Sequence, residues 1–183
     1  MFELALYILD ISQNSVAADA KHIDITVRAD TVRDVLAVDI KDDGKGMDRE
    51  FLSRVTDPFT TSRTTRKVGM GLPLFKMEAE KTGGRFGITS ELGKGTSVSA
   101  EFVLSSVDRL PLGNLESCMS VLIAGSGYDT ILRFSVDDRI YVFDTAEVKK
   151  ELGVSELDEP VIVNYLEAMI GENIQSVKKG VYL

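Results

Sequence analysis

Between Glu3 and Ala20 the positions Leu4, Ile8, Ile11, Ser15 and Ala18 recur at helical spacing, which predicts an amphipathic helix. The period then changes. Ile23, Ile25 and Val27 alternate with polar neighbours over His22 to Ala29, and Val35 to Ile40 forms a second β-rich run across the polar turn Ala29 to Asp34. Asp48 to Val55 predicts a short helix with Asp48 as its N-cap. From Asp57 to Val68 periodicity gives way to Pro, Thr, Ser, Arg and Lys, a loop long enough to serve as a lid. Helix returns over Leu72 to Lys81 and stops at Thr82-Gly83-Gly84. Two strands, Arg85 to Ser90 and Thr96 to Leu104, follow around the turn Glu91 to Gly95. Helices mixed with antiparallel hairpins predict an α+β fold, a two-layer α/β sandwich over residues 1–108.

Pro111 and Gly113 break the pattern between Ser105 and Asn114, which reads as a linker. Residues 115–183 read as a small C-terminal α+β unit to which the pattern assigns no function. It has three strand-like runs: Met119 to Ala124, Thr130 to Val136 and Arg139 to Phe143, the last two joined at Asp137-Asp138. Two helices complete it: Thr145 to Leu152, capped by Thr145 and stopped by Gly153, and Val161 to Ile170.

The 183-residue chain is 44% hydrophobic and 27% charged, an ordinary globular balance. Its net charge of -8 argues against a nucleic-acid surface, which needs a basic stripe. No run is apolar enough to span a bilayer, and Met1-Phe2-Glu3 lacks the basic start of a signal peptide, so neither membrane nor secretion is expected. A single cysteine, Cys118, excludes an internal disulfide, fits a reducing cytoplasm and reads as a small buried hydrophobe. With His22 as the only histidine, a zinc site is not expected, and His22 reads as structural or surface.

Four segments carry candidate chemistry. Asp10 and Asn14 lie four apart and project from one helix face. A carboxylate there can orient a nucleophile and an amide oxygen can ligate Mg²⁺, although a solvated polar face has the same pattern. Asp42-Asp43-Gly44-Lys45-Gly46-Met47 ends a strand in a carboxylate suited to a purine amine, and taken alone it is equally an Asp-Gly turn. Val68-Gly69-Met70-Gly71-Leu72-Pro73 opens into a helix whose N-terminal N–H groups suit a phosphate. Gly93-Lys94-Gly95-Thr96 alone reads as a structural hairpin. Neither a P-loop nor a complete G-x-G-x-x-G occurs.

Together, Ile11-Ser12-Gln13-Asn14-Ser15, Asp42 to Met47, Asp57-Pro58-Phe59-Thr60-Thr61-Ser62, Gly69-Met70-Gly71-Leu72 and Gly93 to Thr96 occur in an order and at intervals that resemble the GHKL, or Bergerat-fold, ATPases. The resemblance covers residues 1 to about 104 and is closest to the histidine kinase and anti-sigma serine kinase branch. It implies ATP and Mg²⁺ as ligands, with Asn14 on the metal and Asp42 accepting from adenine. Gly44 and Gly46, with Met47, would let the base lie against the backbone. Gly69, Met70, Gly71 and Leu72, with a lid containing Thr60 and Thr61, would close over the phosphates. Arg63 or Lys67 would face the γ-phosphate, and Thr96 would support the adenine pocket from behind. Asp10 stands where serine kinases and gyrase-like members have a Glu general base, one methylene shorter.

Bergerat domains usually carry a further helix before the Asn-bearing one, and histidine kinases carry a phosphoacceptor histidine on an upstream helix. Neither is seen here: the missing helix leaves an apolar face for the second unit or a partner chain to cover, and a protein partner or phosphoacceptor is expected, with a homodimer as one arrangement. Three readings stand. One is a stand-alone signal-transduction kinase transferring the γ-phosphate to a partner protein. Another is an ATP-gated regulatory binding module with slow or no hydrolysis. The third is a catalytic half serving a separate histidine protein.

Overall fold

The computed structural model describes residues 3–57 and 70–183. Helix α1 (Leu4–Ala17) buries Leu4, Tyr7, Ile8, Ile11 and Ser15, the face set by the three-to-four spacing. No side chain caps its N-terminus. The N–H groups of Leu4 and Ala5 donate instead to the carbonyls of Pro111 (2.9 Å) and Leu112 (2.8 Å), satisfying helix-end donors that would otherwise need water. The 105–114 segment, expected as a linker, is therefore packed. Leu112 is buried, and the Arg109 guanidinium donates to the carbonyls of Leu104, Leu110 and Tyr182.

Strands β1 (His22–Asp30) and β2 (Val35–Asp42) pair antiparallel, with Ile25 opposite Ile40 and Val27 opposite Val38. A short helix α2 (Arg49–Arg54) follows, its first turn capped by the Asp48 carboxylate accepting from Phe51 N at 2.8 Å, as the sequence predicts. Helix α3 (Gly71–Lys81) leads into β3 (Arg85–Glu91) and β4 (Gly95–Val103), and β4 lies antiparallel to β2. Phe75 anchors α3, with its ring 5.7 Å from Tyr7 of α1, 6.4 Å from Phe86 and 5.5 Å from Phe102 of the sheet. Aromatic pairs of this kind add about 0.5–1.5 kcal/mol each beyond their buried area.

Beyond residue 114 come α4 (Leu115–Ile123), β5 (Asp129–Val136), β6 (Arg139–Asp144), α5 (Thr145–Leu152) and α6 (Pro160–Lys178). Of Met119 to Ala124, expected as a strand, Met119 to Ile123 close α4 and Ala124 is its C-cap. Its buried residues Leu115, Cys118, Met119, Leu122 and Ile123 fall at helical spacing, which the short apolar run beginning at Met119 does not reveal. The α5 cap is Asp144, whose carboxylate accepts from Ala146 N, and not the expected Thr145. The Thr145 hydroxyl instead accepts from Thr130 N at 2.8 Å and donates to Asp129. Helix α6 outruns the expected Val161 to Ile170 because Ile174 and Val177 continue its buried stripe past the polar residues Glu172 and Asn173.

Among the described residues six strands form one sheet in the order β3-β4-β2-β1-β5-β6. β5 pairs in parallel with β1, Leu132 opposite Ile25 and Phe134 opposite Val27. One sheet and one hydrophobic cluster thus run through both the 1–108 and the 115–183 segments. The helices α3, α1, α4 and α6 pack in that order, α1 between α3 and α4. They cover the face that carries Ile25, Val38, Val98 and Leu132, the expected two-layer sandwich. No helix among the described residues is long and apolar enough to cross a membrane.

Candidate functional site

The end of β2 gathers a polar cluster around Asp42. Asp42 is 8% exposed, opposite Ile23 on β1 and Thr96 on β4. Its Oδ1 accepts from Gly44 N at 2.9 Å and Thr96 N at 3.2 Å. Its Oδ2 accepts from the Ser15 hydroxyl at 2.7 Å. A carboxylate offers about four lone-pair positions, so the side chain is fixed in direction and keeps one acceptor site for a ligand N–H.

The glycines around it are shaped first by the protein itself. A Cβ on Gly44 would stand 2.8 Å from the Ala18 carbonyl at the end of α1. On Gly46, with φ of +64°, it would stand 2.0 Å from the Glu91 carbonyl. Their bareness lets the 43–47 turn wedge between α1 and the β3–β4 hairpin. Ser90 closes that wedge, accepting from Met47 N at 2.9 Å, donating to Gly95 O at 2.8 Å and lying 2.9 Å from the Thr96 hydroxyl. Thr96 thus reaches Asp42 through its N–H, while its hydroxyl lies against Ser90.

One turn earlier on α1 lie Asn14 and Asp10, both half-buried on the same face. A Cβ at Gly71 would lie 1.9 Å from Asp10 Oδ2, so the missing side chain at the first residue of α3 is what admits the carboxylate. Met70 is the N-cap residue and is 44% exposed, while Leu72 packs on the core. Thr60, Thr61, Arg63, Lys67 and Gly69, expected at the phosphates, lie outside the described residues. Asp10 and Asn14 provide the hard oxygen donors Mg²⁺ prefers. No group of three His, Cys, Asp or Glu that could hold a metal occurs among the described residues.

Beside the cluster, Asp43 Oδ1 accepts from the N–H groups of Lys21 (2.7 Å) and His22 (2.8 Å), and Oδ2 lies 2.7 Å from His22 Nδ1. Slight burial pushes the Asp43 carboxyl up, but the His22 ring and those two N–H groups outweigh it and bring it from 3.8 down to about 2. A depressed carboxylate contributes stability above its unfolded value and loses it as the pH falls through the folded one. Asp43→Asn is therefore expected to flatten the fall in stability between pH 4 and pH 2, read from urea midpoints of variant and wild type. An unchanged slope would show that the contacts contribute nothing in solution. Cys118 is buried, and desolvation, then Glu3 and Glu116, push its thiol up to about 11, consistent with an inert hydrophobe.

Sequence reasoning left Ser15, Ser90 and Gly95 without roles of their own. Each acts through a partner distant in sequence, and the only local signal was the presence of Ser15 and Gly95 within quoted motifs.

Residues 3–106 match the family described as histidine kinase-, DNA gyrase B-, and HSP90-like ATPase. The chain is 34% identical over 108 residues to a protein of Shewanella frigidimarina named as a sensor protein, covering 58% of this chain and 16% of that one. It is 34% identical over 91 residues to a probable C4-dicarboxylate sensor kinase of Bacillus subtilis, covering 50% and 17%. Over 63 residues it is 48% identical to the sensor protein SrrB of Staphylococcus aureus, covering 32% and 11%. The chain thus spans less than a fifth of the length of these relatives. The crystal structure of the N-terminal domain of a DNA repair protein shares the fold, with a TM-score of 0.50 and 14% identity over 78% of this chain and 52% of that one.

Proposed function

Because the chain belongs to the histidine kinase-, DNA gyrase B-, and HSP90-like ATPase family, we propose that it binds Mg-ATP between Asp42 and Asp10 and transfers the γ-phosphate to a partner protein. The observation that carries the reading is the Asp42 carboxylate, held by three donors with one acceptor site to spare. That site takes the exocyclic amine of adenine. Asn14, one turn from Asp10, would hold the metal, which when bound offsets phosphate charge. Gly71 and Met70 place the start of α3, with its positive dipole end, beside the same face of α1. Asp10 accepts the proton of the acceptor group as its oxygen or nitrogen bonds to the γ-phosphorus and the bond to ADP breaks. A probable sensor kinase and a sensor protein among the relatives support a protein as the acceptor and a role in signal transduction.

A second reading draws on the packing of Asp10 against Gly71. Because that contact joins the nucleotide face of α1 to the start of α3, nucleotide binding could be read out as a movement of α3, making the chain an ATP-gated regulator.

The test is incubation with γ-labelled ATP and Mg²⁺, with and without extract of the source cells. The kinase reading expects label on an extract protein, reduced by about 10²-fold or more in Asp10→Asn, a loss in the range of a removed general base. Asparagine keeps the shape that packs on Gly71. Tight ATP binding with neither transfer nor turnover would favour the regulator.

A further inference from the structure

We propose that Ser15 sets the base specificity of this site by orienting Asp42, an inference that rests on the ATP-binding reading above. The Ser15 side chain is buried, 3% exposed, at the position after Asn14 on α1. Its hydroxyl carries a single proton. The Ile11 carbonyl, 3.5 Å away, is at the limit of hydrogen bonding, whereas Asp42 Oδ2 is at 2.7 Å. The proton is therefore committed to Asp42.

This contact does what the backbone donors cannot. Gly44 N and Thr96 N both reach Oδ1, whereas among the described residues Ser15 is the donor on Oδ2, the oxygen that keeps an open lone pair. Ser15 pins the other oxygen and occupies one of its two lone pairs. What remains on Oδ2 is one acceptor position of fixed direction, matched to one N–H donor. A purine with an exocyclic 6-amino group supplies that donor. A 6-oxo purine opposes an acceptor to an acceptor, and an unsubstituted purine leaves the position unpaired. Sites built around a hydrogen bond of this kind discriminate strongly against analogues lacking the partner. Because Ser15 adjoins Asn14, the base-reading and phosphate-facing ends of the site are set by consecutive residues of one helix.

The experiment is calorimetric binding of ATP and of purine riboside triphosphate, which lacks only the 6-amino group, to wild type and Ser15→Ala. Wild type is expected to favour ATP by roughly tenfold or more, the range for a hydrogen bond to a charged group. In Ser15→Ala the preference shrinks to about two- to threefold while the affinity for the analogue stays constant, since a loosely directed carboxylate retains only part of that hydrogen bond. A merely structural role would weaken both ligands equally and leave the ratio intact, and that result overturns the proposal. Ser15→Cys, with a similar shape and a weaker donor, is expected to give an intermediate ratio and carries the test should alanine loosen α1. If wild type binds both triphosphates equally, the assignment of Asp42 to the base fails, and Ser15 with it. A wild-type preference that survives in both variants sinks the Ser15 role alone.

Discussion

Asp42→Asn is expected to lower ATP affinity by about a hundredfold, the upper range for a hydrogen bond to a charged group in a site that then holds two facing donors. The substitution preserves volume. Its remaining carbonyl oxygen still accepts from Gly44 N and Thr96 N, so the β2 end and the hairpin behind it keep their geometry. The other arm becomes an NH₂ group where Oδ2 was, and the Ser15 hydroxyl must turn to accept from it. The adenine amine then meets a donor. Calorimetry with ATP, paired with a thermal melt, checks this. A variant that melts near wild type and binds ATP within twofold of it would remove Asp42 from the site.

Gly95→Ala carries the largest expected effect on stability. The residue has φ of +103°, where an L side chain is strained, and its new Cβ would stand 2.0 Å from the Asp42 carbonyl oxygen, 2.8 Å from its carbon and 2.9 Å from Asp43 Cα. All three obstacles are backbone, and Asp42 is paired with Thr96 in the β2–β4 ladder, so relief requires breaking that ladder. Strain and overpacking together are expected to cost about 3 kcal/mol or more. Gly93, in the same hairpin, provides the control. Its φ is +79°, but nothing lies within 4 Å of a Cβ there, so Gly93→Ala carries only a conformational cost of about 1 kcal/mol. Urea denaturation of the two variants measures the difference. Equal losses would mean that the close approach of Gly95 to Asp42 is absent in solution. Because the obstacle at Gly95 is the Asp42 main chain, the same variant is expected to weaken ATP binding, whereas Gly93→Ala leaves it unchanged.

Much of this was legible from local pattern. The α1 stripe, the alternation of β1 and β2, the Asp48 cap and the glycine stop at Gly153 all follow from interactions within a few residues. Misreadings arose where several answers share one local pattern. The apolar run from Met119 has no period until Leu115 and Cys118 are counted with it, and Thr145 and Asp144 are both good caps until the Thr130 N–H claims the threonine. The reading of Gly44 and Gly46 as room for a base was incomplete for the same reason. What crowds them, Ala18 and Glu91, comes from other elements.

By itself the sequence determined the family, the two-layer α+β class and the residue types of the candidate site, because each depends on ordered motifs and on periods of two or 3.6 residues. Only the tertiary structure decided how those residues work together. It extended one sheet from β3 to β6 through the parallel pairing of β5 with β1. It set Asp10 against Gly71 and tied Asp42 to Ser15 and Thr96. The physical reason is that a buried carboxylate needs several donors at once, and no single stretch of chain can supply them from one side.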